Sequence, residues 1–151
     1  MSKSNPMRMR EMVVVREVSR LLIPFILLFA LYVQFHGDFG PGGGFQAGVI
    51  FAAGLVLYGL VYGLDALKRA VPPRLIEVLA AGGVMLYGAV GLVTISMGGQ
   101  FLEYKVLDPH HGEHWGLLLI EGGVGITVTA AMTAIFYAFA GRDIARDEEK
   151  R

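Results

Sequence analysis

Glu121 stands six residues inside Trp115 in an apolar stretch, Trp115 to Ala140, that holds no other charged residue. At 1.5 Å rise per residue its carboxyl group lies about 9 Å beyond the ring along a helix. A carboxylate at that depth in a bilayer is costly unless paired, protonated or hydrated. Steps of four residues lead from it to Gly125, Thr129 and Thr133, a small and polar stripe suited to close packing against a second helix. Glu121 is therefore a candidate intramembrane ionisable group. It reads as a proton or cation ligand, or as a structural hydrogen-bond partner of a neighbouring helix, and the residues alone leave both open. Glu77 is the second such candidate. It sits about one turn inside another apolar stretch, near Arg74, where snorkelling to the interface or pairing with that arginine accounts for it.

The densest run of unusual residues is His36-Gly37-Asp38-Phe39-Gly40-Pro41-Gly42-Gly43-Gly44-Phe45. Pro41 fixes the entry to three consecutive glycines, which free the backbone to take positive φ and to approach another backbone closely. The segment Pro41, Gly42, Gly43, Gly44 and Phe45 is a candidate functional loop, with His36 and Asp38 as polar candidates beside it. The N–H groups opening the next helix make a weak anion or dipole site. A phosphate loop is excluded because GxxxxGK[ST] is absent. The loop reads either as a tight connection between packed helices or as irregular backbone lining a hydrated or inter-subunit cavity.

A second loop reads Asp108-Pro109-His110-His111-Gly112-Glu113-His114. Its histidines and carboxylates are zinc-type ligands, but the HExxH spacing is missing and no second ligand set is evident. A hydrated interfacial loop is the default reading, and no bound metal is expected. The chain has no cysteine, which excludes disulfides, thiolate metal sites and cysteine nucleophiles. Nothing resembles a nucleophile, base and orienter. No cofactor is expected, nor an enzyme. Basic and acidic residues cancel at 13 each, so net charge gives no argument for nucleic acid, and none is expected as a partner.

These residues are positioned by hydrophobic stretches long enough to cross a bilayer. The 151-residue chain is 54% hydrophobic and only 17% charged, against about a quarter charged in a soluble domain. Spans of roughly 20 apolar residues fall at about 13–35, 45–64, 75–97 and 115–140, with a tail at 141–151. No small-x-small cleavage pattern follows the first, which reads as a retained span rather than a signal peptide. Before the uncharged core of the first, Leu21 to Phe35, stand Lys3, Arg8, Arg10, Arg16 and Arg20; between the second and third stand Lys68, Arg69 and Arg74; the tail holds Arg142, Arg146, Lys150 and Arg151. The other two loops hold Lys105 alone. The positive-inside rule then places both termini and the Asp65–Arg74 loop in the cytoplasm. The expected fold is a single all-α membrane domain, residues 1–151, with four transmembrane helices in contact with the lipid bilayer.

The run HGDFGPGGGFQAGVIFAAGLVLYGL, His36 to Leu60, resembles the signature of the MnhB/MrpB-like family, small membrane subunits of Mrp-type (also called Mnh-type) multi-subunit sodium/proton antiporters. The resemblance extends to LLLIEGGVGITVTAAM, Leu117 to Met132, and covers nearly the whole chain from the first span to the fourth. It implies a small multi-pass subunit in a bacterial or archaeal cell membrane. Its partners would be the other subunits of the complex, including large antiporter-like ones, and the ions carried by the complex would be Na+ and H+. The resemblance implies a need for this subunit in assembly and exchange, and importance in exchange for Pro41 and Phe45, with Gly42, Gly43 and Gly44 shaping the loop. It assigns no role to Glu121. The same module occurs in membrane-bound hydrogenases and related redox-driven ion pumps, which is the alternative reading.

Overall fold

The structure, a computed structural model, describes residues 13–37, 41–107 and 112–149, with side chains described as far as Arg142. Apart from one short 3-10 turn, the regular elements among these residues are all α-helices: α1 (Val13–Phe35), α2 (Gly44–Tyr62), α3 (Leu64–Ala70), α4 (Pro73–Ser96) and α5 (Gly112–Glu149). Four of them, α1, α2, α4 and the Gly112–Arg142 part of α5, are long and apolar enough to cross a membrane. Their large apolar side chains mostly face outward, Phe25 and Phe29 of α1 and Val84 and Met85 of α4 among them. Lipid accepts such side chains, so much of the burial at the helix crossings falls to small ones.

The helices stand in a row, α1–α2–α5–α4, in which each packs on its neighbour through glycine. Gly54 of α2 admits Leu27 of α1, since a Cβ there would stand 2.9 Å from the leucine Cδ2. Gly48 of α2 meets α5, where its Cβ would lie 2.7 Å from the Gly125 carbonyl oxygen. Gly83 of α4 crosses α5 at Gly123 and Thr127, leaving no room for a side chain. Small residues at these crossings let backbones approach closely enough for dispersion to hold helices together where lipid removes the hydrophobic drive. The paired positions also give the directions. Gly44, Gly48 and Gly59 of α2 face Glu121, Gly125 and Phe136 of α5 in the same order, so these two helices run parallel. Helix α1 is antiparallel to α2, and α4 to α5.

Two departures from the sequence expectation concern the helix ends. The segment expected as an Asp65–Arg74 loop contains α3, which Gly63 separates from α2 with φ at 96°. Leu64 and Leu67 of α3 are buried while Asp65 and Arg69 are exposed, a division that a seven-residue stretch is too short to signal as periodicity. The expected tail from 141 is a continuation of α5, unbroken to Glu149. The Tyr137 hydroxyl donates to the Val71 carbonyl at 2.7 Å and ties α5 to the α3–α4 junction.

At the opposite end of the helices from that junction, the α4–α5 connection folds down over α4 and α5. The Phe101 ring lies against Gly91, and the 3-10 turn Tyr104–Val106 sets the Tyr104 ring on Gly116. Leu102 N–H donates to the buried Thr94 hydroxyl at 3.0 Å, and that hydroxyl donates in turn to Gly91 O at 2.8 Å.

Candidate functional site: a glycine loop against Glu121

The two most distinctive features of the sequence meet in space. The α1–α2 connection brings Gly37, Gly43 and Gly44 to the flank of α5 at Glu121. A Cβ at Gly37 would stand 2.7 Å from Glu121 Oε2, and one at Gly43 would stand 3.1 Å from Oε1. A Cβ at Gly44 would overlap the Glu121 backbone carbonyl. Gly37, Gly43 and Gly44 are therefore a cradle: each marks a place where the carboxylate or its backbone fills the space of a side chain. Gly43 needs to be glycine on a second count, since its φ of 119° is one that L side chains rarely adopt.

The loop is held on its other side by α1. Gly43 N–H donates to the Val33 carbonyl at 3.4 Å, and a Cβ at Gly42 would lie 2.8 Å from that same oxygen. Gly44 meets Glu121 nine residues into α5, about 13 Å along its axis. The start of α2 is thus recessed below the start of α5. Irregular backbone survives at such depth only where protein or a hydrated cavity surrounds it, and at Gly43 and Gly44, both buried, protein does.

The stripe that follows Glu121 faces α2. The Thr129 hydroxyl donates to Gly48 O at 3.1 Å and to Gly125 O at 2.8 Å, and Thr133 is fully buried. Beside it, a cavity of about 360 Å³ opens between the α1 and α4 ends of the row. Ala30 and Gln34 of α1 and Leu79 of α4 wall it, over a floor that includes Gly48, Gly122 and Gly125. Gln34 is the polar group that sequence reading passed over. Its Nε2 is buried with no hydrogen-bond acceptor among the described residues. As a carboxamide near the end of an apolar span it carried a signal, but without a partner in the sequence to interpret it.

A family model described as a domain related to the MnhB subunit of Na+/H+ antiporter matches residues 14–134. The chain belongs to the MnhB family. Among curated proteins it is similar to antiporter subunits named mnhB2. It shares 28% identity with the one from Staphylococcus haemolyticus, 30% with that of Staphylococcus aureus strain Newman and 27% with that of Staphylococcus epidermidis strain RP62A. Each similarity extends over 134 residues, 85% of this chain and 94% of the relative. The family match takes in the glycine loop and Glu121 alike, and with four spanning helices the chain is a multi-pass membrane protein.

The remaining candidates of this MnhB-family chain are dispersed. Pro41 is exposed, and Phe45, in the first turn of α2, is 61% exposed. His36 is exposed at the end of α1, its ring stacked on Tyr32 with centroids 5.0 Å apart. Asp38 lies outside the described residues, as do Asp108, Pro109, His110 and His111 of the second loop. Glu113 and His114 are exposed, and Glu113 pairs with Lys105 at 3.5 Å. Glu77 is exposed near the start of α4 and forms no ion pair with Arg74.

Proposed function

We propose that this protein is a non-catalytic subunit of a multi-subunit Na+/H+ antiporter, required for assembly and exchange, set in the cell membrane of a bacterium or archaeon with both termini cytoplasmic. The observation that carries the reading is the family match over residues 14–134, which reaches from the first spanning helix into the fourth. The architecture supports it. A four-helix row with an open, small-residue cavity on one face is the shape of a component that completes its packing against neighbouring helices. The large antiporter-like subunits of the complex would be those neighbours, with Na+ and H+ passing through the assembly. The Pro41–Phe45 loop contributes to exchange: Phe45 presents an uncovered ring beside a backbone that Glu121 and Val33 hold in place.

The test is purification of the tagged chain from its native membrane in mild detergent, with partners identified by mass spectrometry. Recovery with large antiporter-like subunits and without redox proteins is expected. Recovery with hydrogenase or iron–sulfur subunits would overturn the antiporter reading in favour of a redox-driven pump.

A further inference from the structure

We propose that Glu121 is a positioning residue for the Pro41–Phe45 loop: its carboxylate, held as an anion, anchors the amino-terminal end of α2 from the neighbouring helix. The inference rests on the antiporter reading only for its effect on exchange. A helix leaves its first N–H groups without intrahelical acceptors. In α2 the first closing bond runs from Ala47 N–H to Gly43 O at 3.0 Å, which leaves the N–H groups of Gly44, Phe45 and Gln46 directed out of the helix end. The residue at the cap is Gly43, which has no side chain to accept from them, and no side-chain cap bond is made there. Sequence therefore gives this end no local cap of the usual Ser, Thr, Asp or Asn type.

What stands there instead is Glu121. Its two carboxylate oxygens lie against the two arms of the connection, Oε2 at Gly37 on the way out of α1 and Oε1 at Gly43 on the way into α2. Backbone contact between Gly44 and the Glu121 carbonyl fixes the register of the pair. An anion at the amino end of a helix is favoured by the aligned peptide dipoles, and screening by water is weak in a recessed position. Gly37 and Gly43 are what lets the carboxylate reach the helix end, and the carboxylate is what the glycine-only sequence lacks. This accounts for the presence of a charged residue in α5 and of glycine at positions 43 and 44 by one contact.

The test uses the natural absence of cysteine. Phe45→Cys in the full chain gives a single site for a spin label at the loop–helix junction, and its mobility is read in lipid nanodiscs. Glu121→Gln keeps the size of the side chain and removes the charge, whereas Glu121→Asp keeps the charge. The label is expected to become mobile in the E121Q background and to return towards the parent spectrum in E121D. In vesicles carrying the assembled complex with native Phe45, E121Q should lower exchange about tenfold, the effect of about one charge-assisted hydrogen bond, with partial recovery in E121D. An unchanged label in E121Q would overturn the proposal, whether or not exchange falls. A mobile label with full exchange would uphold the anchor and overturn the role of the loop in exchange. Should E121Q fail to fold, Gly37→Ala serves in its place: its Cβ would press on Oε2, and an immobile label there would equally sink the idea.

Discussion

Gly44 of α2 and Glu121 of α5 approach so closely that a Cβ on the glycine would overlap the glutamate carbonyl oxygen. The contact is backbone against backbone, and no rotamer change can relieve it. Gly44→Ala should therefore separate α2 from α5 at the loop end. A loss of about 2–3 kcal/mol is expected, on the scale of overpacking elsewhere. Gly82→Ala is the matched control, because nothing lies within 4 Å of a Cβ at Gly82 on exposed α4 surface. Thermal unfolding in detergent should show a lowered midpoint for the first and an unchanged or raised one for the second. Equal midpoints would show that the α2–α5 contact tolerates a methyl group.

Phe45→Ala and Pro41→Gly test the loop in function. Both side chains are exposed, so neither change opens a cavity in the chain itself. The complex should assemble with each variant while Na+-dependent proton exchange in vesicles falls several-fold. Full exchange in both would remove the loop from the working parts of the complex.

Fold class was readable because it depends on bulk properties: four apolar stretches of sufficient length and almost no charge within them. Element ends were less so. Nothing in Leu64–Ala70 distinguishes a seven-residue helix from a charged loop, because Gly63 breaks α2 through a backbone angle rather than through a visible change in composition. The glycine loop and Glu121 each stood out as residue types, but their meeting did not. It depends on α2 and α5 running parallel with Gly44 level with Glu121, a relation between segments far apart in the chain that no local pattern encodes. Gln34 went unnoticed for the same reason, since what matters about it is the cavity assembled around it by three other helices.

Thr129 bridges α5 to α2 through a hydroxyl shared between the Gly48 and Gly125 carbonyls. Thr133, one turn on, donates at 2.7 Å to Thr129 O within its own helix. Substitution by valine preserves shape at both. Thr129→Val should cost about 0.6–1.5 kcal/mol, the range for interhelical hydrogen bonds in membranes, and Thr133→Val less. Unfolding in mixed micelles ranks them, and a larger loss at Thr133 would reverse the assignment.

Tyr104 gives the connection over α4 and α5 a pH dependence. Burial pushes its phenol above the ordinary tyrosine value, and Tyr87 adds to the rise. A group whose folded value is raised contributes its stabilisation fully below the unfolded value, near 10, and loses it as pH climbs through the folded one. Hydrogen exchange in residues 99–107 should therefore accelerate at alkaline pH beyond the intrinsic base-catalysed rise. Tyr104→Phe, which keeps the ring on Gly116 and cannot ionise, should show only the intrinsic rise. The same acceleration in that variant would exclude Tyr104 as its origin.

Gln34 should be a liability in the isolated chain. Its Nε2 is buried and lacks an acceptor among the described residues, and its carboxamide lines a cavity whose other walls are almost entirely apolar. An unsatisfied buried donor costs about 1–3 kcal/mol, and an apolar group of similar shape removes that cost. Gln34→Leu is therefore expected to raise the unfolding midpoint of the purified chain by a few degrees. In the assembled complex the gain should shrink or reverse if a neighbouring helix supplies the acceptor, because leucine would then leave that partner unpaired. A lower midpoint for the isolated Gln34→Leu chain would mean that the amide already has its hydrogen bond, and that the cavity is not where this protein is incomplete.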